Sequence, residues 1–465
     1  MIQGVRVVNC LLFLNSSKFK PMRLINSLLA VSILLLTLFS CQTEPRPAVM
    51  FRADAQHSGY FASPDIDTLH GVKWKFQTNG YVFSSPAVFG DFVYFGSNDS
   101  TFYAVGKTSG REVWHYTTGG YIASSPAVTE ESVFFISSDG YLYALERSSG
   151  KLQWRFNEGP EKHFSAPGVQ GLQPKDEIIA DPWDMYLSSP VWHKSVLYFG
   201  SGNGNFYAVD ANSGMEKWHI ATGEAIHNAP TIYNDMVIFG GWDRSLHAVS
   251  LETGREIWKF ETGKDTVNYN QTGIQSSPVV WNDRIYFGCR DAHVYALDGM
   301  TGKLLWKRFN RYSWVINTPL VRDSTVYYGT SDTHRFIALN AMNGDSIYSK
   351  DIPAGYIFSS PVTTGKLIYF GGFNGTVHAV KAKTGEKVWE YRMDASVANR
   401  DSVLTADSEI NNDFYARVFK TGYNAQTHEV AMKGLYSVGS VLSTPAVSDG
   451  VLYVGSSDGY LYALH

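Results

Sequence analysis

Apolar residues in this chain alternate or run for four to six positions and then break at turn residues, the spacing of short strands rather than helices. In the stretch 123–156 such runs fall at 123–128, 132–137, 141–146 and 152–156. Ser138-Asp139-Gly140 divides the second run from the third, and Ser149-Gly150 divides the third from the fourth. Asp hydrogen-bonds its own backbone and Gly tolerates positive φ, so both breaks suit tight hairpins. Four strands joined in this way form an antiparallel meander that cannot bury both faces alone.

The meander recurs. A small-small-Pro step opens it at Pro86, Pro126, Pro190, Pro230, Pro278, Pro319, Pro361 and Pro445, with spacings of 40, 64, 40, 48, 41, 42 and 84. A period of about 40 residues is that of propeller blades. Seven units carry a fourth strand marked by Trp114, Trp154, Trp218, Trp258, Trp306, Tyr348 or Trp389, while the eighth stops at His465. Residues 72–76 have the fourth-strand pattern and precede the first unit. The expectation is an all-β, eight-bladed β-propeller of four-stranded antiparallel blades. The N-terminal strand completes the last blade and removes an exposed edge, giving a monomeric ring. The fixed place of the Trp residues predicts packing between neighbouring blades. Asp99, Asp139, Asn203, Asp243, Asp291, Asp332, Asn374 and Asp458 share one turn position, which predicts turn chemistry there rather than acid–base work.

A net charge of −4 and a pI near 6.4 supply no basic face, so nucleic acid is not an expected partner. Lys18, Lys20 and Arg23 precede an apolar run to Phe39, and Leu38-Phe39-Ser40-Cys41 follows the pattern of a bacterial lipoprotein signal. The domain expectation is a signal over 1–40, a tether over 41–50 with lipid on Cys41, and the propeller over 51–465. Met22 is an alternative start. An uncleaved anchor is the other reading of the apolar run, which is short for a bilayer span. Gln42 after Cys41 points to the outer membrane, with the ring facing the periplasm or the cell surface. Cys289 is then the one cysteine of the mature ring, read as a buried small residue.

These units resemble the pyrroloquinoline-quinone (PQQ)-type propeller repeat, through Gly140-Tyr141-Leu142-Tyr143-Ala144-Leu145 with Ser149-Gly150-Lys151 and Trp154, and through Tyr295-Ala296-Leu297 with Thr301-Gly302-Lys303 and Trp306. The lead-in at 51–60 is also similar to that of the family. The resemblance implies the fold directly and two functions. One is a non-catalytic, lipid-anchored binding or scaffold module with an envelope protein partner, similar to the BamB lipoproteins of outer-membrane protein assembly, needing no cofactor. The alternative is a periplasmic PQQ-dependent dehydrogenase holding PQQ and calcium on the axis; against it, the chain has no adjacent cysteine pair.

Departures from the repeat crowd into blades four to six and give the candidate ligand-binding residues. His227, Asn228, Asn270, Gln271, Trp314 and Asn317 lie on or beside the connections into blades, and Asn268 lies among them. Trp242, Arg244, Arg290, His293, His334 and Arg335 lie on the turns before third strands. Both loop types emerge around the axial mouth, where a concave polar pocket with aromatic walls is expected. Three arginines and three histidines there suit a small anionic or polyhydroxylated ligand. No short His spacing supports a metal site. Two insertions, 157–187 and 390–442, join this face; Trp183 of the first is expected over the channel, and the second is expected to be an irregular surface loop.

Overall fold

The computed structural model describes residues 48–465 apart from 266, 268 and 408. Cys41, Met22, the signal, nearly all of the tether and Asn268 lie outside the described residues. Eight four-stranded antiparallel sheets surround one axis. Blades one to seven span 87–117, 127–157, 191–221, 231–261, 279–309, 320–351 and 362–392. The eighth combines three C-terminal strands with Val72–Gln77, which pairs antiparallel with Tyr460–Leu464 through Trp74↔Ala463 and Phe76↔Leu461. The expected closure of the ring is therefore observed.

In blade two the second to fourth strands are Ser132–Ser137, Tyr141–Glu146 and Leu152–Asn157, but the innermost is only Ala127–Val128. It is shorter than the apolar run because the small-small-Pro step does other work. The Ser85 N–H donates to Ser125 Oγ at 3.0 Å, Ser125 to Ser189 at 2.9 Å, Ala229 to Ser277 at 2.9 Å and Thr444 to Ser85 at 2.9 Å. Ser277, Thr318 and Ser360 continue this chain of bonds from blade to blade. Backbone donors next to the axis are thus satisfied from blade to blade instead of within a sheet, except at the step from Ser189 to Ala229, which has no hydroxyl to accept.

The Trp series also joins blades. Trp114 Nε1 donates to the Arg147 carbonyl at 3.0 Å, Trp218 to Leu251 at 3.1 Å and Trp258 to Gly299 at 3.1 Å, each in the turn of the next blade. Gly302 of such a turn has φ of +67°, and a Cβ there would overlap the Trp258 indole, so glycine is required twice over. The Asp position behaves as turn chemistry: Asp99 accepts from the Thr101 N–H at 3.0 Å and from Tyr103 Oη at 2.8 Å. Cys289 is fully buried and unpaired.

The lead-in straps one end of the axis. Val49 pairs with Val128, the Ile232 N–H donates to the Ala55 carbonyl at 2.8 Å, and the Thr363 N–H donates to that of Gly59 at 2.8 Å. Arg52 is buried and donates to the carbonyls of Thr318 at 2.7 Å and Pro319 at 3.0 Å. Between this strap and the opposite mouth, the ring hydroxyls and Phe51, Leu187 and Phe358 enclose a cavity of about 50 Å³, room for a few waters.

The second insertion departs from the expected irregular loop. It contains helices α1 (Asp394–Val403), α2 (Asn412–Val418) and α3 (Ala425–Tyr436). In α3, Thr427, His428, Ala431, Met432, Leu435 and Tyr436 are buried, a helical stripe that fixes this face on the ring. Asn424 caps α3, accepting from the Thr427 N–H at 3.0 Å while Thr427 Oγ1 accepts from the Asn424 N–H.

Candidate functional site

The two insertions meet over the axial mouth. The Gln173 N–H donates to the Tyr423 carbonyl at 2.9 Å, and Tyr436 Oη lies 3.6 Å from Met185 Sδ. Trp183 occupies the centre, edge-on to Trp314, Tyr356, Phe358 and His428 with ring centroids 5.7–6.1 Å apart. Its expected place over the channel is observed, and it forms the middle of an aromatic plug.

Beneath the plug lies a buried polar network. His227 Nδ1 is 2.6 Å from Asp184 Oδ1, and its Nε2 is 2.7 Å from Glu161 Oε1. Trp242 Nε1 donates to Asp184 Oδ1 at 3.1 Å and the Phe164 N–H donates to Oδ2 at 2.8 Å. Burial works against charge on His227, but Asp184 and Glu161 together raise its pKa to about 10. Burial likewise works against the Asp184 carboxylate, yet the His227 charge and hydrogen bonds hold it well below the usual range. Arg290, 0% exposed, places Nη1 3.0 Å from Asp181 Oδ2 and lies between the faces of Trp242 and Trp314, 4.8 and 4.1 Å from their centroids.

His163, Asp184 and His227 lie close enough to share a metal ion. The residues do not fit that role while His227 faces a carboxylate at each nitrogen, because both nitrogens then donate N–H and neither has a free lone pair. Nor do the axial carboxylates suit calcium: Asp184 is committed to His227 and Trp242, and Asp181 to Arg290, Gln170 and the Trp183 N–H.

The candidate residues separate into four groups. His227, Trp242 and Arg290 belong to the buried network. Asn228 and Asn317 replace the first Ser of the Ser-Ser-Pro step and bridge blades: Asn228 Nδ2 donates to the Ile274 carbonyl at 3.1 Å, and Asn317 Nδ2 to that of Ile357 at 2.7 Å. Trp183, Asn270 and Trp314 line an open cleft of about 500 Å³ between α2–α3 and blades five and six. The rest do not converge. Arg244 occupies a left-handed turn position, φ +68°, and the Gln271 N–H donates to Asp265 at 3.2 Å. His334 pairs with Glu409 at 2.6 Å at the edge of the insertion.

His293 and Arg335 begin third strands and turn toward the fourth strands of their own blades. His293 pairs in register with Phe309, and Arg335 donates to Ser349 Oγ at 2.7 Å and pairs with Asp351 at 3.2 Å. The expected gathering of Arg244, Arg290 and Arg335 into one anion site is thus corrected: one is sealed in the network and another points outward along its sheet. Glu161, Asp184, Tyr356, Phe419 and His428 lie outside the candidate set drawn from departures in the repeat; the helical stripe of α3 is the sequence signal for the last.

The profile described as outer membrane protein assembly factor BamB matches residues 68–182, 172–311 and 243–465. Outer membrane protein assembly factor BamB of Burkholderia pseudomallei (strain K96243) is 30% identical over 108 residues, 22% of this chain and 26% of that protein, so the match spans about a quarter of the curated relative. The crystal structure of BamB from Moraxella catarrhalis superposes with a TM-score of 0.60 at 16% identity, covering 86% of this chain and 98% of that one. Quinohemoprotein alcohol dehydrogenase from Comamonas testosteroni superposes with a TM-score of 0.65 at 13% identity, covering 92% and 82%. At such identities the two structures show the shared fold alone. The profile match, running through all eight blades, shows that the chain belongs to the family of the outer membrane protein assembly factor BamB.

Proposed function

We propose that this protein is a non-catalytic, lipid-anchored propeller that acts as a binding or scaffold module in outer-membrane protein assembly. Membership of the BamB family carries the reading. The mouth supports it: Asp184 and Asp181 neutralise His227 and Arg290 instead of presenting free ligands, and Trp183 fills the centre. A PQQ-dependent dehydrogenase would need both the ligands and the space. The scaffold needs neither, since it works through the outer faces of a rigid ring held at the envelope through lipid on Cys41.

Removal of the gene, with complementation by the natural chain and by Cys41→Ala, tests the proposal. Loss should lower the amounts of β-barrel proteins in the outer membrane, the natural chain should restore them, and Cys41→Ala should restore them poorly. Unchanged outer-membrane barrel levels in the deletion strain would overturn the assembly role, and full rescue by Cys41→Ala would overturn the anchor.

A further inference from the structure

The cleft between α2–α3 and blades five and six has two kinds of wall. Aromatic rings form most of it: Tyr312 and Tyr423 stand at the rim, 71% and 37% exposed, with Tyr356, Tyr415 and Phe419 deeper and the Trp183–Trp314 pair at the floor. Polar groups are set among them, namely Asn270, Gln170, Asp332 and Arg311. One carboxylate and one guanidinium give no net charge, so the cleft favours neither a cation nor an anion.

His428 adds an observation of a different kind. It lines the same cleft and is only 4% exposed, yet neither ring nitrogen has a hydrogen-bond partner among the described residues. Burial lowers its pKa to about 4, so near neutral pH the ring is uncharged and offers one donor and one acceptor. A buried polar group left unpaired costs stability; both nitrogens are closed off from the cleft by the surrounding rings, so a ligand completes them only once Phe419 or Tyr423 shifts aside.

We propose that this cleft binds a neutral saccharide, with the apolar faces of its pyranose rings against Tyr312, Tyr423 and Phe419 and its hydroxyls bonded by Asn270, Asp332 and Gln170, and by His428 once the rings over it shift. A lipid chain or an aliphatic peptide would cover Asn270 and the Asp332 oxygen that Ser331 does not bond without pairing them. A charged glycan would find no excess of opposite charge. The deeper part of the aromatic wall needs no ordering, because Tyr356 Oη and Tyr415 Oη already bond at 3.0 Å and Trp183 is fixed by its neighbours. The site is independent of the assembly role and of the lipid anchor.

The test is titration of the full chain with maltohexaose, cellohexaose and chitohexaose, read by calorimetry and by tryptophan emission, since Trp183 and Trp314 form the floor. At least one should give saturable heat together with a shift in emission. Tyr312→Ala and Asn270→Ala alter rim residues outside every sheet, and their melting temperatures report whether the fold is intact. Each should weaken the responding saccharide about tenfold or more. No saturable response to any of the three would overturn the proposal, as would full affinity retained in both folded variants. Binding of an aromatic-rich peptide in place of all three saccharides would also overturn it, in favour of a protein ligand.

Discussion

Trp389 donates its indole N–H to the backbone carbonyl of Ile66 across 2.6 Å, the position filled elsewhere in the ring by the turn of the following blade. Blade eight has no such turn of its own, because its fourth strand comes from residues 72–77. The lead-in therefore supplies both the missing strand and the missing acceptor, and Trp74 completes the circuit by donating to the Lys107 carbonyl of blade one at 3.0 Å.

Deleting residues 48–77 should thus do more than remove a strand. It would leave Tyr460–Leu464 as an open edge, a template for pairing with another chain. Size-exclusion chromatography with light scattering should show aggregates in place of a monomer. A monomeric product melting like the parent would contradict the closure.

Trp258 tests the joints between blades. Its ring is buried, bonds the Gly299 carbonyl and covers Gly302. Trp258→Ala should cost about 3–5 kcal/mol in chemical denaturation, from lost burial and the cavity left behind. Unchanged denaturation would remove the Trp series from the packing account.

How much of this was legible depended on repetition. Eight copies made the strands, the turn Asp and the blade-joining Trp readable, because a residue present in every unit serves the architecture whichever loops surround it. Departures were harder to interpret. Asn228 and Asn317 differ from Ser yet do the same bridging between blades, since a side-chain amide reaches the neighbouring carbonyls as a hydroxyl does. Arg290 was singled out correctly as unusual, but its partner Asp181 lies in an insertion more than a hundred residues away, a pairing no local pattern reveals. The helical insertion was hidden by its polar outer faces; only its buried stripe carries the 3.6-residue period.

Acid should weaken the ring through histidines buried in neutral form. Burial lowers the pKa of His57 and of His378 to about 4, below the ordinary value of 6.5. Between those values the unfolded chain binds more protons than the folded one, so stability is full above about pH 6.5 and falls as the pH drops toward 4. Each group should cost on the order of 2–3 kcal/mol across that window. His378→Tyr places there the residue found at the same point of blades one, two, three, five and eight (Tyr103, Tyr143, Tyr207, Tyr295 and Tyr462). Melting curves from pH 7 to pH 4.5 should be flatter for this variant; an unchanged slope would contradict the assignment.

The Arg290–Asp181 pair fixes the first insertion to the ring. Asp181→Ala leaves a buried guanidinium without its counter-charge and should cost about 3–5 kcal/mol. Residues 157–187 should then become the first site of cleavage in limited proteolysis. Replacing both partners together, Asp181→Leu with Arg290→Met, should recover much of the loss. A loss in the double variant equal to the sum of the losses from Asp181→Leu and Arg290→Met alone would show that the pair is not coupled.

We propose that the mouth of this ring is closed by its own side chains rather than built to hold a redox cofactor. Incubation of the full chain with pyrroloquinoline quinone and calcium, followed by gel filtration, absorbance and a dye-reduction assay with alcohol substrates, tests it most directly. The quinone should separate from the protein and no dye should be reduced. Stoichiometric quinone co-eluting with the chain, together with substrate-dependent dye reduction, would contradict it.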